Sequence, residues 1–337
     1  MKRVERIDAT DYDTARLLNT VLNLYYMEER TQVEIAKQLG LSTAKVNRLL
    51  HQAREQGFVD ITIRTPFQHL FGLETPLKAI FELKDALVIP AVAGEVSPVL
   101  HTVGQAAAAY LVEHLRDGDI IAISGGTAVN AVVEALQVSR PYRVEIVPVL
   151  GGVQGQVTTD MNYLAGRMAE RLGGKAYQLH APAFVDTREH RDMLFEMRPV
   201  KEILDIARRA NMAVLGIGTV NYETSRFVQF TALTAADMKD IADNCKGVGE
   251  IGGQIYDIDG CPCANAYAER VIGLSLEEIK RIPFTIGVAA TVDKALSLYG
   301  ALRGGYLRSL VTDEAAARGV LDSFDRHFRS GYESRHL

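Results

Sequence analysis

TQVEIAKQLGLSTAKVNRLLHQAREQG, residues 31–57, carries the signals of two short helices joined by a tight turn. Thr31 and Glu34 form a T-x-x-E capping box that opens the first helix. Gly40 stands where that helix has to stop and turn. Ser42 caps the second helix and Gly57 ends it. Ile35, Leu39, Leu41, Val46, Leu49, Leu50 and Ala53 recur at spacings that let the two helices share one apolar core. From Ile35 to Arg54 there are four basic residues, Lys37, Lys45, Arg48 and Arg54, together with His51 and no acid. The pattern is that of a helix-turn-helix built to sit on DNA.

Upstream of this pair, Leu18, Val21, Leu22 and Tyr25 mark an amphipathic helix over residues 12–27 that leads into the capping box. After Gly57, residues 58–64 (FVDITIR) alternate strictly, as a short half-buried strand does. Three helices and a strand in this order predict a winged-type DNA-binding domain over residues 1–65. Residues 67–83 then read as a linker helix interrupted near Pro76, so that residues 66–85 connect the two domains. From residue 86 to 337 short β-branched runs alternate with helical segments: ALVIPA, VGQAAAAYLVEHL, IIAIS, TAVNAVVEAL, VEIVPVL, NYLAGRMAERL, KAYQLHAP, a helical insertion at 201–210, MAVLGIG, FTIGVAA, VDKALSLYGAL, LRSLVTD and DEAAARGVLDSF. Such alternation predicts a doubly wound α/β domain, a mostly parallel sheet with helices on both faces. Residues from about 329 read as a frayed tail.

With 337 residues and 47% hydrophobic content the chain is long enough for more than one cored domain. Its formal net charge of -5 excludes polyanion binding by bulk electrostatics. Residues 1–65 hold ten Lys/Arg against nine Asp/Glu and the remainder 27 against 33, so the positive charge is local to the helix pair. Three cysteines, Cys245, Cys261 and Cys263, form no disulfide framework and read as reduced thiols. Cys261-Pro262-Cys263 lacks a second ligand pair, so no metal is expected, and no motif implies a cofactor. Without a signal region or an apolar run of spanning length, the chain reads as cytoplasmic.

The second helix of the pair, with Val46, Leu49, Leu50 and Ala53 inward, turns Ala44, Arg48 and His51 outward and leaves Asn47 and Lys45 on the flanks. Arg reads guanine and Asn reads adenine by paired hydrogen bonds, which makes Asn47 and Arg48 the base readers. Ser42, Thr43 and Lys45 suit phosphate contacts, and Gln32 and His51 complete the DNA-binding set. A helical hairpin with a merely solvated polar face is the plain alternative; caps, core spacing, charge and strand together favour double-stranded operator DNA.

In the larger domain three glycine-rich segments follow strands: Ser124-Gly125-Gly126-Thr127, Leu150-Gly151-Gly152-Val153-Gln154-Gly155, and Gly216-Ile217-Gly218-Thr219. None is a phosphate-loop or dinucleotide fingerprint, and any one alone is ordinary turn geometry. Three at the carboxyl ends of strands in one sheet point to the crevice of an open α/β fold as a ligand site. Asp257 and Asp259, in GEIGGQIYDIDG at 249–260, suit sugar hydroxyls or a turn. Lys294, at a helix start, suits a phosphate.

Taken together, the chain resembles the SorC family of bacterial transcriptional regulators over nearly its whole length. The resemblance rests on the YYxxxxTQxEIAxxLGLSxxKVxRLLxxAxxxGxV pattern from Tyr25 to Val59, LGGV at 150–153, GIG at 216–218, GEIGGxxYDxDG at 249–260 and KAxxxxxxLRGGYLxxLVTDE from Lys294 to Glu314. It implies an effector domain related to sugar-phosphate isomerases and glucosamine-phosphate deaminases. It also implies a homotetramer on paired operator half-sites and a sugar, polyol or phosphorylated effector. Carried over by position, Gly125, Gly126 and Thr127 are the phosphate cradle with Gln154 nearby, Asp257 a hydroxyl acceptor and Lys294 a phosphate contact. A ligand-responsive transcription factor is the function expected. The rival from another class is a sugar-phosphate isomerase with an accessory DNA-binding domain, which would need a positioned general base. No recognisable dyad stands with Asp257 and Asp259, so no catalytic residue is assigned.

Overall fold

The computed structural model describes residues 12–59, 67–90, 96–153, 157–220 and 233–333. It divides into two compact units, residues 1–66 and 67–337.

In the smaller unit, helix α1 (Tyr12–Leu22) runs on through a π-helical turn, Asn23–Met27, and is followed by α2 (Gln32–Leu39) and α3 (Thr43–Glu55). The capping box at the head of α2 is formed: the Glu34 N–H donates to Thr31 Oγ1 and the Thr31 N–H to Glu34 Oε2. Gly40 takes a left-handed φ of 65°, which a side chain rarely adopts, so the chain turns there at little cost. Ser42 accepts from the Lys45 N–H at 3.2 Å and starts α3. Leu18, Val21 and Leu24 pack on Ile35, Ala36, Val46, Leu49, Leu50 and Ala53 in one closed core. Phe58 and Val59 lie outside any strand, and the rest of the expected wing, residues 60–64, lies outside the described residues.

The larger unit opens with α4 (Gln68–Phe81), which differs from the expected broken linker. It is continuous through Pro76, and its Leu70, Leu73 and Leu77 are buried in the main core of this unit. A proline inside a helix costs about 3 kcal/mol, whereas burying each leucine returns roughly 1.5–3 kcal/mol, so packing prevails.

Seven strands form one sheet, every neighbouring pair parallel: β1 (Asp85–Ile89), β2 (Ile120–Ile123), β3 (Glu145–Pro148), β4 (Lys175–Ala176), β5 (Met212–Gly216), and two later strands, Phe284–Val288 and Ser309–Asp313. From one edge to the other the order is β1, Ser309–Asp313, Phe284–Val288, β5, β2, β3, β4. Alternate residues serve the two faces. Ile121, Ile123, Ile146 and Val214 meet α5 (Val96–His114), α6 (Thr127–Ala135) and α7 (Met161–Leu172). Ala122, Val147, Ala213 and Leu215 meet the opposite layer, with Leu298, Tyr299, Leu302 and Val320. Two helices stand where one insertion was expected, α8 (Arg188–Glu196) and α9 (Arg198–Arg208). The C-terminal helix extends from Glu314 to Glu333, past the residue at which fraying was expected.

A second, antiparallel sheet is not apparent from sequence alternation: β6 (Gly218–Thr219), β7 (Gly249–Ile251) and β8 (Gln254–Tyr256). Beside it Cys245 and Cys263 pair as a disulfide with Cα atoms 5.6 Å apart, which corrects the expectation of three reduced thiols; Cys261 alone is free and exposed. The two partners are brought together by the hairpin, a tertiary effect that cysteine spacing does not reveal.

Candidate functional sites

On α3 the inward residues Val46, Leu49, Leu50 and Ala53 are buried. This turns Ser42, Thr43, Ala44, Asn47, Arg48 and His51 to solvent as one continuous strip, with Lys45 half-buried at its flank. The Ser42 oxygen is engaged as the helix cap, and its hydroxyl proton remains available as a donor. His51 lies 3.4 Å from Glu55 one turn on. Gln32 is the first residue of α2 and half-buried. The strip has the donors, shape and charge of a recognition-helix surface.

In the larger unit the strand order reverses direction at β2. The chain steps outward through β3 and β4, then returns by α8 and α9 to lay β5 on the other side of β2. The helices that follow two such strands leave to opposite faces, so a crevice opens at their carboxyl ends. Ser124, Gly125 and Gly126 lie there, and so does Gly216. Ser124 Oγ accepts from the Gly216 N–H at 2.8 Å, which locks the two strand ends together. A side chain at Gly125 would come 2.7 Å from the Thr159 carbonyl, and one at Gly216 3.0 Å from the Gly125 carbonyl. Gly126 has φ 108° and is the N-cap of α6, where no side chain supplies a cap. Thr127 begins the helix. The open N–H groups of its first turn and the Thr127 hydroxyl form an anion-binding concavity.

The other two glycine segments do different work. Gly151 and Gly152 donate their N–H groups to the carbonyls of Ile272 and Ala181. A side chain at Gly151 would press on the Pro182 carbonyl at 2.5 Å, so these glycines serve close backbone packing. Gln154, expected nearby, lies outside the described residues. Gly218 faces Glu250 across the β6–β7 pair, and a side chain there would overlap the Glu250 carboxylate.

Glu250 is the residue that sequence reasoning passed over. Half-buried on β7, it accepts from the Gly253 N–H at 3.0 Å and lies within reach of the Lys294 charge. Burial pushes its carboxyl up to about 7, against the downward pull of the Gly253 N–H and of Lys294. Lys294 ends the turn Val292–Lys294, just after the strand Phe284–Val288, and its ammonium is 3.9 Å from Asp293. That turn is held from below by buried Asp313, which accepts from the Thr291 N–H at 2.6 Å. The lysine is therefore half-buried beside a carboxyl group, unlike an ordinary solvated lysine at a helix start. The only sequence signal for Glu250 was its place between glycines in GEIGG.

Asp257, the expected hydroxyl acceptor, holds a local turn through one of its two oxygens. Its Oδ1 accepts from the N–H groups of Asp259 and Cys261 at 3.0 and 2.8 Å, the self-contained turn that D-x-D-G favours. A side chain at Gly300 would meet the Asp257 carbonyl, which puts the turn beside the later part of helix Ala295–Arg303. Lys294 precedes the opposite end of that helix. Asp259 pairs with Arg303 at 2.7 Å and lies 3.3 Å from His327.

A helix-turn-helix with an exposed polar strip in one unit and a glycine-lined crevice at a strand-order switch point in the other are the parts of a regulator that responds to a small molecule. Comparisons with known proteins agree. Residues 65–322 match the family model described as "Putative sugar-binding domain", and residues 19–56 match that for region 4 of sigma-70. The sorbitol operon regulator of Klebsiella pneumoniae is 30% identical over 92% of this chain and 98% of its own. The deoxyribonucleoside regulator of Bacillus subtilis is 29% identical over 93% and 99%. The crystal structure of the full-length Klebsiella sorbitol operon regulator SorC superposes with a TM-score of 0.69 at 29% identity, covering 91% of this chain and 99% of that one. The chain belongs to the SorC family of bacterial transcriptional regulators. It is a sugar-responsive DNA-binding regulator and not an enzyme.

Proposed function

We propose that the crevice between β2 and β5 binds a small polyhydroxylated effector with an anionic end, and that its occupancy changes operator affinity. The observation that carries this reading is the uncapped start of α6 at Gly126-Thr127; Glu250, paired with Gly218 just beyond β5, and Lys294, whose charge acts on it, support it. Gly125, Gly126 and Thr127 shape a phosphate cradle whose donors are the open first-turn N–H groups of α6 and the Thr127 hydroxyl, the Gly126 N–H being held by the Thr159 carbonyl at 3.1 Å. Lys294 supplies its point charge. Glu250 replaces Asp257 as the group that meets a hydroxyl. As a neutral acid it can both donate and accept a hydrogen bond. Relatives that include sorbitol, erythritol and deoxyribonucleoside regulators support a sugar, polyol or sugar-phosphate class.

On the DNA side, Asn47 and Arg48 read bases, Ser42, Thr43 and Lys45 hold phosphates, and Gln32 and His51 flank them. Tetramers on paired half-sites in the cytoplasm complete the reading. The test is thermal unfolding against a panel of sugars, polyols and their phosphates. Binding to the native state at a hundredfold over Kd stabilises it by about 2.7 kcal/mol. Lys294→Ala should abolish the shift given by a phosphorylated hit and leave operator binding by the free protein unchanged. An unchanged dose-response in that variant would remove Lys294 from the site, and a panel without any hit would sink the sugar-phosphate reading.

A further inference from the structure

Glu250 stands on a hairpin whose open end is shut by sulfur. Cys245 closes the π-helical turn Ile241–Cys245, just ahead of β7, and Cys263 follows β8. Between them the Val248 N–H donates to the Tyr256 carbonyl and the Cys263 N–H to the Ile255 carbonyl, each at 2.9 Å. Their Cα separation of 5.6 Å lies in the range that a disulfide spans without moving backbone. Cys263 is buried at 5% exposure, Cys245 is half-buried, and Cys261 is exposed outside the pair.

A second tie runs in parallel. Arg270 Nη2 holds Asp237 Oδ1 at 2.6 Å, and both side chains are largely buried. The segment between Thr234 and Cys245 is thus fastened twice to residues 263–270, and the chain that leaves the second fastening runs directly into β7. β7 and β8 are three residues each. Strands so short are marginal by themselves, so closure of the open end matters for their order. A regulator that binds DNA works in a reducing compartment, where a disulfide is usually transient and sensing.

We propose that Cys245 and Cys263 are a reversible oxidation site, and that the state of this dithiol sets how firmly the Glu250 hairpin is held. The oxidants are of the peroxide or low-molecular-weight disulfide class. With hydrogen peroxide, the more accessible Cys245 thiolate attacks one oxygen, the O–O bond breaks, and hydroxide leaves to give a sulfenic acid. Cys263 then attacks that sulfur, the S–S bond forms, and the second oxygen departs as water. Two thiols lose two electrons and two hydrogens, and the peroxide becomes two waters. A dithiol reductant of the thioredoxin class reverses the change by exchange. The consequence for ligand affinity rests on the effector reading above, whereas the chemistry and the hairpin order do not.

The full-length protein is reduced with dithiothreitol, oxidised with hydrogen peroxide, and mapped by peptide mass spectrometry with hydrogen exchange on both forms. The expected result is a Cys245–Cys263 cross-linked peptide that dithiothreitol removes under native conditions. It is retained in Cys261→Ser and absent from Cys245→Ser. In the oxidised form, exchange of the amides of residues 248–256 should slow by about tenfold, and inorganic phosphate should raise Tm more than in the reduced form. Failure to form the cross-link, failure to reduce it in the native protein, or equal exchange in the two forms would overturn the proposal. If phosphate shifts neither form while exchange still differs, the effector reading fails and the redox pair stands.

Discussion

Glu250→Gln tests the electrostatics of the crevice without changing its shape. Glutamine keeps an oxygen for the Gly253 N–H but carries no proton to lose. In the folded protein burial raises the Glu250 carboxyl from the ordinary 4.5 to about 7. Between those values the native state binds more protons than the unfolded chain, so wild-type stability falls as pH rises through this window. Each pH unit is worth about 1.36 kcal/mol, which makes the full penalty above neutrality roughly 3 kcal/mol. A domain of this size moves by roughly 2 °C per kcal/mol, so the variant should melt about 6 °C above wild type at pH 8. At pH 4.5 the two should coincide. The assay is the difference in Tm of the larger unit's transition across pH 4.5–8, in which all other titrating groups cancel. Lys294→Ala should steepen the wild-type slope, because removing the lysine raises the carboxyl further. Parallel curves for wild type and Glu250→Gln would show that Glu250 ionises as an ordinary surface carboxylate, and the argument for a desolvated crevice would fall.

Three further outcomes follow from the same geometry. Arg48→Ala should weaken operator binding by about 1–3 kcal/mol while leaving the thermal unfolding of the smaller unit unchanged, and unaltered sequence selectivity would demote Arg48 to a phosphate contact. Asp257→Ala deprives two N–H groups of their acceptor and should cost about 1 kcal/mol of stability. It should leave effector-induced stabilisation intact; loss of that stabilisation would return Asp257 to the site. Sulfate, whose charge is constant near neutrality, should bind a few-fold more weakly at pH 8 than at pH 6 as Glu250 ionises. Flat affinity, measured by thermal shift, would contradict that coupling.

What could be read from sequence was local, and what could not was long-range. Thr31, Glu34, Gly40 and Ser42 act on backbone groups within four residues of themselves, so their roles are legible in the letters. The parallel sheet was equally legible, because β-branched runs such as IIAI and MAVLG alternate with helical segments. The continuity of α4 through Pro76 was not, since it depends on what Leu70, Leu73 and Leu77 pack against. Nor was the pairing of Glu250 with Gly218 across the antiparallel strands, whereas the turn that Asp257 holds in the same glycine-rich block is local and announced by D-x-D-G. The same block of tertiary pairing brings Cys245 to Cys263.

The features that make the crevice suitable for an effector are those an enzyme of the same architecture would use for chemistry. A carboxyl group poised near 7 beside a lysine meets the usual requirement for a general acid or base. In a regulator the same pair serves recognition. Near neutrality Glu250 is substantially protonated, so Lys294 and the open N–H groups of α6 leave the crevice with a positive field, the setting for an anion. The protonated carboxyl then offers both a donor and an acceptor to a hydroxyl. Chemistry would require these groups to hold a transition state better than the ground state. Signalling requires only that they hold the ligand better in one conformation of the protein than in another. One sheet with its switch point between β2 and β5 can thus serve either purpose, and the helix-turn-helix of the smaller unit gives ligand binding an output on DNA.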